Sequence, residues 1–158
     1  MTSAEGRAAT RCSIARTLEV LGEKWTLLIV REAFWGRTRF SDFRSALGIA
    51  PDVLTDRLGT LVEHGVMVRR PYRSEGGRER AEYVLTPAGE ELRCVLGALN
   101  AWGDRHRPAP DGSAARYVEA TSGTPVAVRF VTDDGRLVEA AEVTTVRNEP
   151  PLTAAGRG

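Results

Sequence analysis

The sequence predicts an α+β fold in which helices surround one β-hairpin and a small β extension follows. Three observations carry this prediction. Apolar residues recur at helical spacing between residues 13 and 64. Residues 66–70 and 81–86 alternate between apolar and polar side chains, as half-buried strands do. After residue 108 the composition shifts, through a linker rich in proline and small residues, to a segment of β character.

The first two helices are predicted on either side of Gly22. In the first, Ser13 is the expected N-cap, and the apolar positions at helical spacing are Ile14, Leu18 and Leu21. The second helix runs from residue 24 to residue 35 and is apolar on most of its sides. A helix of that kind is predicted to be buried.

The next two helices are joined by a tight turn. A short helix over residues 40–47, with Ser41 as its cap, is closed by Gly48. Pro51 opens the following helix at a position where a missing N–H costs nothing, and Gly65 ends it. Two helices joined in this way form a helix-turn-helix, whose second helix can enter the major groove of DNA.

A hairpin and a long helix complete this part of the chain. The hairpin tip over residues 71–80 is charged and turn-rich, and Thr86 is the expected N-cap of the long helix. Glu90 is placed to complete a capping box with Thr86. The order of helix-turn-helix, basic hairpin and long helix predicts a winged helix-turn-helix.

We predict five segments along the chain. A disordered arm covers residues 1–11, a DNA-binding and dimerisation domain covers 12–107, and a linker covers 108–115. Residues 116–148 form a β-hairpin extension, because Asp-Gly at 134–135 lies between two β-like runs. Residues 149–158 are expected to be a disordered tail.

Contact with DNA is predicted at the outward side of the second helix of the helix-turn-helix and at the hairpin. The formal net charge of the chain is only +1, but residues 65–80 contain five arginines and two glutamates, so the positive charge is local. Acidic residues on the helix repel phosphate, and the arginines must supply the attraction to the DNA backbone. The predicted contact residues are Arg39, Ser41, Pro51, Asp52, Val53, Thr55, Asp56, Arg57, Arg73, Arg78 and Arg80.

Residues 12–106 resemble the HxlR family of winged-helix transcription regulators in unbroken order. The similar features are GEKWTLLI at 22–29, RFSDF at 39–43, Gly48-Ile49, LTDRL at 54–58, and Tyr83, Leu85, Thr86 and Gly89. The resemblance implies a sequence-specific regulator, by family default a repressor, which acts as a homodimer on a palindromic or near-palindromic site. It also implies pairing through the first and last helices.

The apolar pattern of the long helix agrees with such pairing. Its stripe is larger than one small domain readily buries, although core packing is the alternative explanation. The predicted dimer-interface residues are Ile14, Leu18, Leu21, Leu92, Val95, Leu96, Leu99 and Trp102. A two-fold dimer would place two recognition helices about 34 Å apart, one turn of B-DNA.

The sequence offers two candidate sites for a signal that changes DNA binding, a reactive thiol and a small-molecule pocket. Cys12 precedes the first helix, where amide dipoles favour a reactive thiolate, and some HxlR-type proteins sense oxidants through a cysteine at a similar position. A buried, inert thiol is the alternative, and it is the expectation for Cys94. A small-molecule effector pocket is the other candidate input, with core packing as the alternative role of its residues. The candidate pocket residues are Trp25, Trp35, Trp102 and Tyr117.

No catalytic residue, metal or cofactor is predicted. The C-terminal tails of some proteins of the resembled family carry cysteines where this chain has Ser122, Thr132 and Asp134. Zinc prefers thiolate ligands, so no metal site is predicted in this tail. The expected partners are double-stranded DNA, a second copy of the chain and a small-molecule effector, with no membrane. We expect a cytoplasmic location, since the sequence has no secretory leader or membrane-length apolar run. The alternative function is a winged-helix module for protein–protein contact without DNA binding.

Overall fold

The structure, a computed structural model, describes residues 11–73 and 79–148, without the side chains of residues 73 and 79. The chain divides into two compact units, residues 1–116 and residues 117–158. The predicted tail over 149–158 lies outside the described residues, as does the predicted arm apart from Arg11. The predicted linker at 108–115 stays a prediction.

The described part of the first unit consists of five helices and one hairpin. In order they are α1 (Ser13–Leu21), α2 (Lys24–Phe34), α3 (Phe40–Leu47), α4 (Pro51–Glu63), β1 (Met67–Arg73), β2 (Glu79–Leu85) and α5 (Pro87–His106). This order confirms the predicted winged helix-turn-helix. Within the described ranges, no helix is both long and apolar enough to cross a membrane.

Helix α2 lies at the centre of the first unit and packs against the other four helices and β2. Its side chains Ile29 and Val30 are fully buried, as its apolar sequence predicts. The fully buried apolar partners from the other elements are Phe43, Leu54, Leu58, Leu61 and Met67. The core therefore fixes α3 and α4 against α2, and this arrangement holds the helix-turn-helix.

The turn between α3 and α4 depends on Gly48. Its φ of 61° lies in the left-handed region, which glycine adopts without steric cost. Helix α3 begins after Arg39 and has no side-chain cap, so the predicted cap at Ser41 is wrong. The hydroxyl of Ser41 lies inside the first turn and instead donates to the carboxylate of Asp42 at 3.2 Å.

The start of α1 also differs from the prediction. Cys12, and not Ser13, is the N-cap, and its Sγ accepts from the N–H of Ala15 at 3.5 Å. The hydroxyl of Ser13 accepts from the guanidinium of Arg16 at 3.0 Å. Helix start signals in a sequence locate a boundary only to within one or two residues, and here the helix begins one residue earlier than predicted.

Helix α5 begins against the start of β1. The predicted cap is confirmed, because the Thr86 hydroxyl accepts from the N–H of Gly89 and donates to the carbonyl of Gly65 at 2.6 Å. The predicted capping box is wrong, because the Glu90 carboxylate pairs with Arg93 at 2.6 Å. A Cβ at Gly89 would lie 2.2 Å from the Val66 carbonyl oxygen, so only glycine fits this approach.

The wing is an antiparallel pair in which Met67 faces Leu85 and Arg73 faces Glu79. Both strands reach further toward the tip than predicted. Pro71 pairs with Ala81 inside β1, which is tolerated because β1 is an edge strand. The segment before α3 adds a β-bridge to β2.

The segment at residues 38–39 fastens the wing to the helix-turn-helix. The N–H of Tyr83 donates to the carbonyl of Thr38 at 2.7 Å, and Arg39 forms a β-bridge with Glu82. Because Arg39 also precedes α3 directly, the hairpin and the helix-turn-helix are joined through backbone hydrogen bonds and do not depend on the chain connection alone.

The second unit contains the predicted hairpin in a shortened form. Strands β3 (Phe130–Val131) and β4 (Leu137–Val138) pair through a turn in which Gly135 has a φ of 87°. A bridge joins Val118 to Pro125, and a single 3-10 turn covers Ala140–Glu142. No described apolar residue of this unit is buried, so side-chain packing supplies little to extend the strands along the predicted β runs.

Candidate nucleic-acid interface

Helix α4 presents one side to the core and the opposite side to solvent. Its buried residues Leu54, Leu58 and Leu61 hold the inner side. The exposed residues of its first two turns are Pro51, Asp52, Thr55 and Asp56. These are four of the predicted DNA contacts, and the helical period brings them to one surface. Val53, the fifth predicted contact there, is half-buried at the edge of the core.

The N-terminus of α4 has no side-chain cap. Ala50 is the N-cap residue and offers no hydrogen-bond acceptor in its side chain. Pro51 has no N–H, and the first helical bond runs from the Leu54 N–H to the Ala50 carbonyl at 2.9 Å. The first amide groups of such a helix suit a phosphate oxygen, because their partial positive charge points outward.

Arg39 and Arg80 bring positive charge to the part of the wing near its tip, around Tyr72. The Arg39 guanidinium lies over the ring of Tyr72, 4.7 Å from its centroid, and this contact holds it beside β1. Arg80 is exposed on β2, directly opposite Tyr72 in the strand register. The predicted contact at Arg78 and the side chain of Arg73 lie outside the described residues.

Ser41 on α3 and Arg57 on α4 are the remaining predicted contacts within the helix-turn-helix. Ser41 is exposed in the first turn of α3. Arg57 is half-buried, and its Nε is buried without a hydrogen-bond partner, so its aliphatic stem packs against the protein and only part of the guanidinium reaches solvent. Its role in base contact stays a prediction.

Within the described parts of the helix-turn-helix and the wing, three further exposed arginines are absent from the predicted contacts: Arg44, Arg69 and Arg70. Arg69 and Arg70 belong to the basic run at residues 65–80, and the alternation of residues 66–70 predicts that they lie on a strand. Nothing in the sequence singles out Arg44, because its exposure follows from how α3 packs through Phe43.

An exposed apolar surface lies on α1 and α5, here called the α1/α5 face. Its members are Ile14, Leu18, Val95, Leu99 and Trp102, which are between 42% and 72% exposed. Leu92 and Leu96 are half-buried beside them. Leu21 differs, because it is only 5% exposed and belongs to the core, so its assignment to the dimer interface is wrong.

Both cysteines are exposed. Cys12 lies at the N-terminus of α1, as predicted. The expectation of a buried Cys94 is wrong, because α5 buries only Gly89 and Gly97 and turns Cys94 outward.

The tryptophans of the predicted effector pocket each contact a residue that is near in the sequence. The Lys24 ammonium lies 4.5 Å from the Trp25 ring, the Arg31 guanidinium lies 4.9 Å from the Trp35 ring, and Trp102 packs with His106. Tyr117 belongs to the second unit. A pocket formed by these residues stays a prediction.

The structure does contain a cleft in another place, between α1 and the start of α5. Its volume is about 310 Å³, and its lining residues are Ser13, Arg16, Thr17, Val20, Leu21, Val66, Ala88 and Leu92. None of the predicted pocket residues lines it.

The second unit has two polar turns where related tails were expected to carry cysteines. In the first, hydrogen bonds from Ser122 and Thr121 lower the pKa of Glu119 to about 2. In the second, the Thr132 hydroxyl donates to Asp134 and lowers the pKa of that carboxyl group. Within the described ranges, no three His, Cys, Asp or Glu side chains are grouped as metal ligands. Serine and threonine thus form hydrogen bonds within these turns.

Comparison with known proteins gives consistent results. A family model described as HxlR-like helix-turn-helix matches residues 20–111. An uncharacterised HTH-type transcriptional regulator of Mycobacterium tuberculosis is 42% identical over 144 residues, which are 91% of this chain and 87% of the relative. The regulator YdeP of Bacillus subtilis is 31% identical over 110 residues, which are 68% of this chain and 84% of YdeP.

Solved structures agree with these relatives. The candidate transcription factor PA1607 superposes with a TM-score of 0.75 at 43% identity, covering 87% of this chain and 96% of that chain. The redox regulator HypR in its reduced form superposes with a TM-score of 0.56 at 29% identity, covering 61% of this chain and 94% of that chain.

Proposed function

The chain belongs to the HxlR-like helix-turn-helix family of DNA-binding transcription regulators, and we propose that it acts as a homodimeric repressor at a palindromic operator. Regulators of this family are not enzymes, in agreement with the absence of a predicted catalytic residue. The observation that carries the proposal is the solvent-exposed side of α4, which lies opposite Leu54, Leu58 and Leu61 in a helix-turn-helix fixed by the core.

Helix α4 has the position and shape of a recognition helix. The major groove of B-DNA admits one α-helix, and the residues near its N-terminus then face the base edges. In this orientation the uncapped N-terminus of α4 comes close to phosphate. Arg39 and Arg80 at the wing are placed to contact the DNA backbone on the flank.

The α1/α5 face supports the homodimer. Three of its large side chains, Ile14, Leu18 and Trp102, are more than half exposed in a single chain. Large apolar side chains left exposed in this number mark an interaction site when they lie together. Pairing of two copies through it would bury the surface and give two recognition helices with two-fold symmetry, as a palindrome requires.

The proposal predicts salt-dependent binding in which two arginines have different effects. Fluorescence anisotropy measures binding of the protein to duplex DNA from the regulator's own promoter region, across a series of salt concentrations. Affinity should fall steeply with salt concentration. Arg80→Ala should weaken binding to all sequences alike and reduce the salt slope by about 1, whereas Arg57→Ala should cost about 1–3 kcal/mol at one base position only.

Arg136→Ala is the matched control, because Arg136 is exposed in the second unit, and it should leave both the affinity and the base preference unchanged. If an intact dimer shows no binding to DNA at low salt, the regulator proposal fails. The chain would then fit the alternative of a protein–protein interaction module.

We further propose that oxidation of Cys12 releases the DNA. Cys12 is exposed, and its Sγ accepts from the first turn of α1, while the structurally similar HypR is a redox regulator. A hydroperoxide would convert the thiolate to a sulfenic acid and itself be reduced. A small-molecule effector is the alternative input.

The thiol proposal predicts that peroxide weakens operator binding by the wild type at least several-fold and that reductant restores it. Cys12→Ser should bind DNA normally and not respond to peroxide. Cys94→Ser is the control, since it removes the other exposed thiol, and it should respond like the wild type. A Cys12→Ser protein whose operator affinity under peroxide follows that of the wild type would disprove the thiol switch.

A further inference from the structure

The outward side of α4 offers hydrogen-bond acceptors and almost no donors. Asp52 and Asp56 are exposed carboxylates, which only accept. The hydroxyl hydrogen of Thr55 is already donated to the Pro51 carbonyl at 2.8 Å, so only the lone pairs of this hydroxyl point away from the helix. Pro51 has no polar side-chain atom. The first two turns of α4 therefore match partners that donate.

The two carboxylates differ in what the fold requires of them. Asp52 lies in the first turn, where a negative charge stabilises the helix dipole. Asp56 lies one turn later, beyond the reach of that effect. Asp56 lies four positions after Asp52, so the two carboxylates are neighbours on the helix surface. A like-charge pair at this spacing destabilises a helix. Within the described residues, neither carboxylate has a hydrogen bond or ion pair that would offset the repulsion.

We propose that Asp56 determines the operator specificity of this regulator by accepting a hydrogen bond from the N4 amino group of cytosine; this rests on α4 being the recognition helix, as the proposed function has it. In the major groove, cytosine offers a donor alone. Adenine offers its N6 donor beside the N7 acceptor, while guanine and thymine offer acceptors at the corresponding positions. A carboxylate is attracted by the amino group of cytosine and is repelled by the acceptor atoms of adenine, guanine and thymine.

The negative charge of Asp56 also makes non-cognate binding weaker. A carboxylate in the groove lies close to phosphates and is tolerated only when the cytosine amino group pairs with it. Arg39 and Arg80 supply attraction that does not depend on sequence. Specificity then arises from the difference between a general attraction at the wing and a repulsion at α4 that only one base relieves.

The test compares the sequences that three proteins select from random duplex DNA: the wild type, Asp56→Asn and Glu63→Gln. Glu63 is the matched control, because it is an exposed acid on the same side of α4 but at the far end of the helix. The wild type should select a motif with cytosine at a fixed position in each half-site. Replacing that cytosine by thymine should weaken wild-type binding by about 5- to 150-fold. Asparagine pairs with adenine through N6 and N7, so Asp56→Asn should select adenine there, and Glu63→Gln should keep the wild-type motif.

Thermal unfolding provides a second, independent measurement. Asp56→Asn removes the like-charge pair with Asp52, so its melting temperature should equal or exceed that of the wild type. Its affinity for unrelated duplex DNA should rise. A variant that merely disturbs the fold would instead melt at a lower temperature and bind unrelated duplex DNA more weakly.

Three results would overturn the inference. If Asp56→Asn selects the wild-type motif with the same discrimination, Asp56 does not determine specificity, and the proposed function stands. If the wild type selects a motif without a fixed cytosine, the assigned contact is wrong. Failure of the wild type to retain any duplex at low salt would overturn the proposed function together with this inference.

Discussion

Leu99→Glu is expected to convert the proposed homodimer to a monomer that no longer binds its operator tightly. Leu99 lies in the middle of α5, between Val95 one turn before and Trp102 one turn after, and its side chain is 49% exposed in a single chain. A carboxylate there would be buried against the apolar residues of a second copy. Truncation or disruption of a central interface residue typically costs about 2 kcal/mol or more.

The symmetry of the pair increases this effect. A two-fold interface contains each substitution twice, so a total loss of roughly 4 kcal/mol, or about a thousandfold in the dimerisation constant, is expected from that per-residue value. Operator affinity should fall with it, because one recognition helix contacts only one half-site. Sedimentation equilibrium reports the mass, and anisotropy with the operator duplex reports the binding.

Ala101→Glu is the matched control for this substitution. Ala101 is exposed on the same helix, but it points away from the α1/α5 face by more than a third of a turn and is not among the large apolar residues of that face. The same charge introduced there should leave a dimer with normal affinity. A dimeric Leu99→Glu protein, or a monomeric wild type that still binds DNA, would show that the α1/α5 face does not pair two copies.

The helix-turn-helix was predictable because its apolar residues occur at the period of a helix. Leu54, Leu58 and Leu61 are fully buried, and the exposed acids lie opposite them, as that spacing requires. Periodicity assigns a side to each residue within an element. It does not distinguish the core of the same chain from a second copy as the partner that covers that side. The spacing therefore groups Leu21 with Ile14 and Leu18, although Leu21 packs inside its own chain.

The features that the sequence did not predict depend on contacts between elements. The Gly89 backbone approaches the Val66 carbonyl too closely for any Cβ, and this pairing joins residues more than twenty positions apart. The stacking of Arg39 on Tyr72 likewise requires the wing to fold back onto the segment before α3. No local pattern encodes either contact, since neither partner lies near the other in the chain.

The ion pairs around Glu32 lead to the second large effect, a loss of folding stability. Glu32 lies on α2 and is 2% exposed. Its two oxygens face Arg31 at 2.6 Å and Arg37 at 2.7 Å, and both arginines keep more than a third of their side-chain surface in water. The anion is therefore buried, whereas the two cations lie at the protein surface.

This asymmetry predicts that removing the cations is worse than removing the anion. In Arg31→Ala/Arg37→Ala the carboxylate stays buried without a positive partner, and loss of a partner from a buried pair costs about 3–5 kcal/mol. In Glu32→Met the arginines turn into solvent and an apolar side chain of similar length fills the space. Replacement of a buried charge and its pairing by apolar groups is often close to neutral.

Urea unfolding of the wild type and four variants would measure this difference. The double arginine variant should lose about 3–5 kcal/mol of unfolding free energy, and Glu32→Met should lose much less. The triple variant combines Glu32→Met with both arginine substitutions. It should be more stable than the double variant, because the unpaired anion is gone. Glu90→Ala is the control, since its pair with Arg93 is exposed and should contribute about 0–1 kcal/mol. A triple variant less stable than the double variant would mean that the Glu32 carboxylate contributes through contacts other than its two arginines.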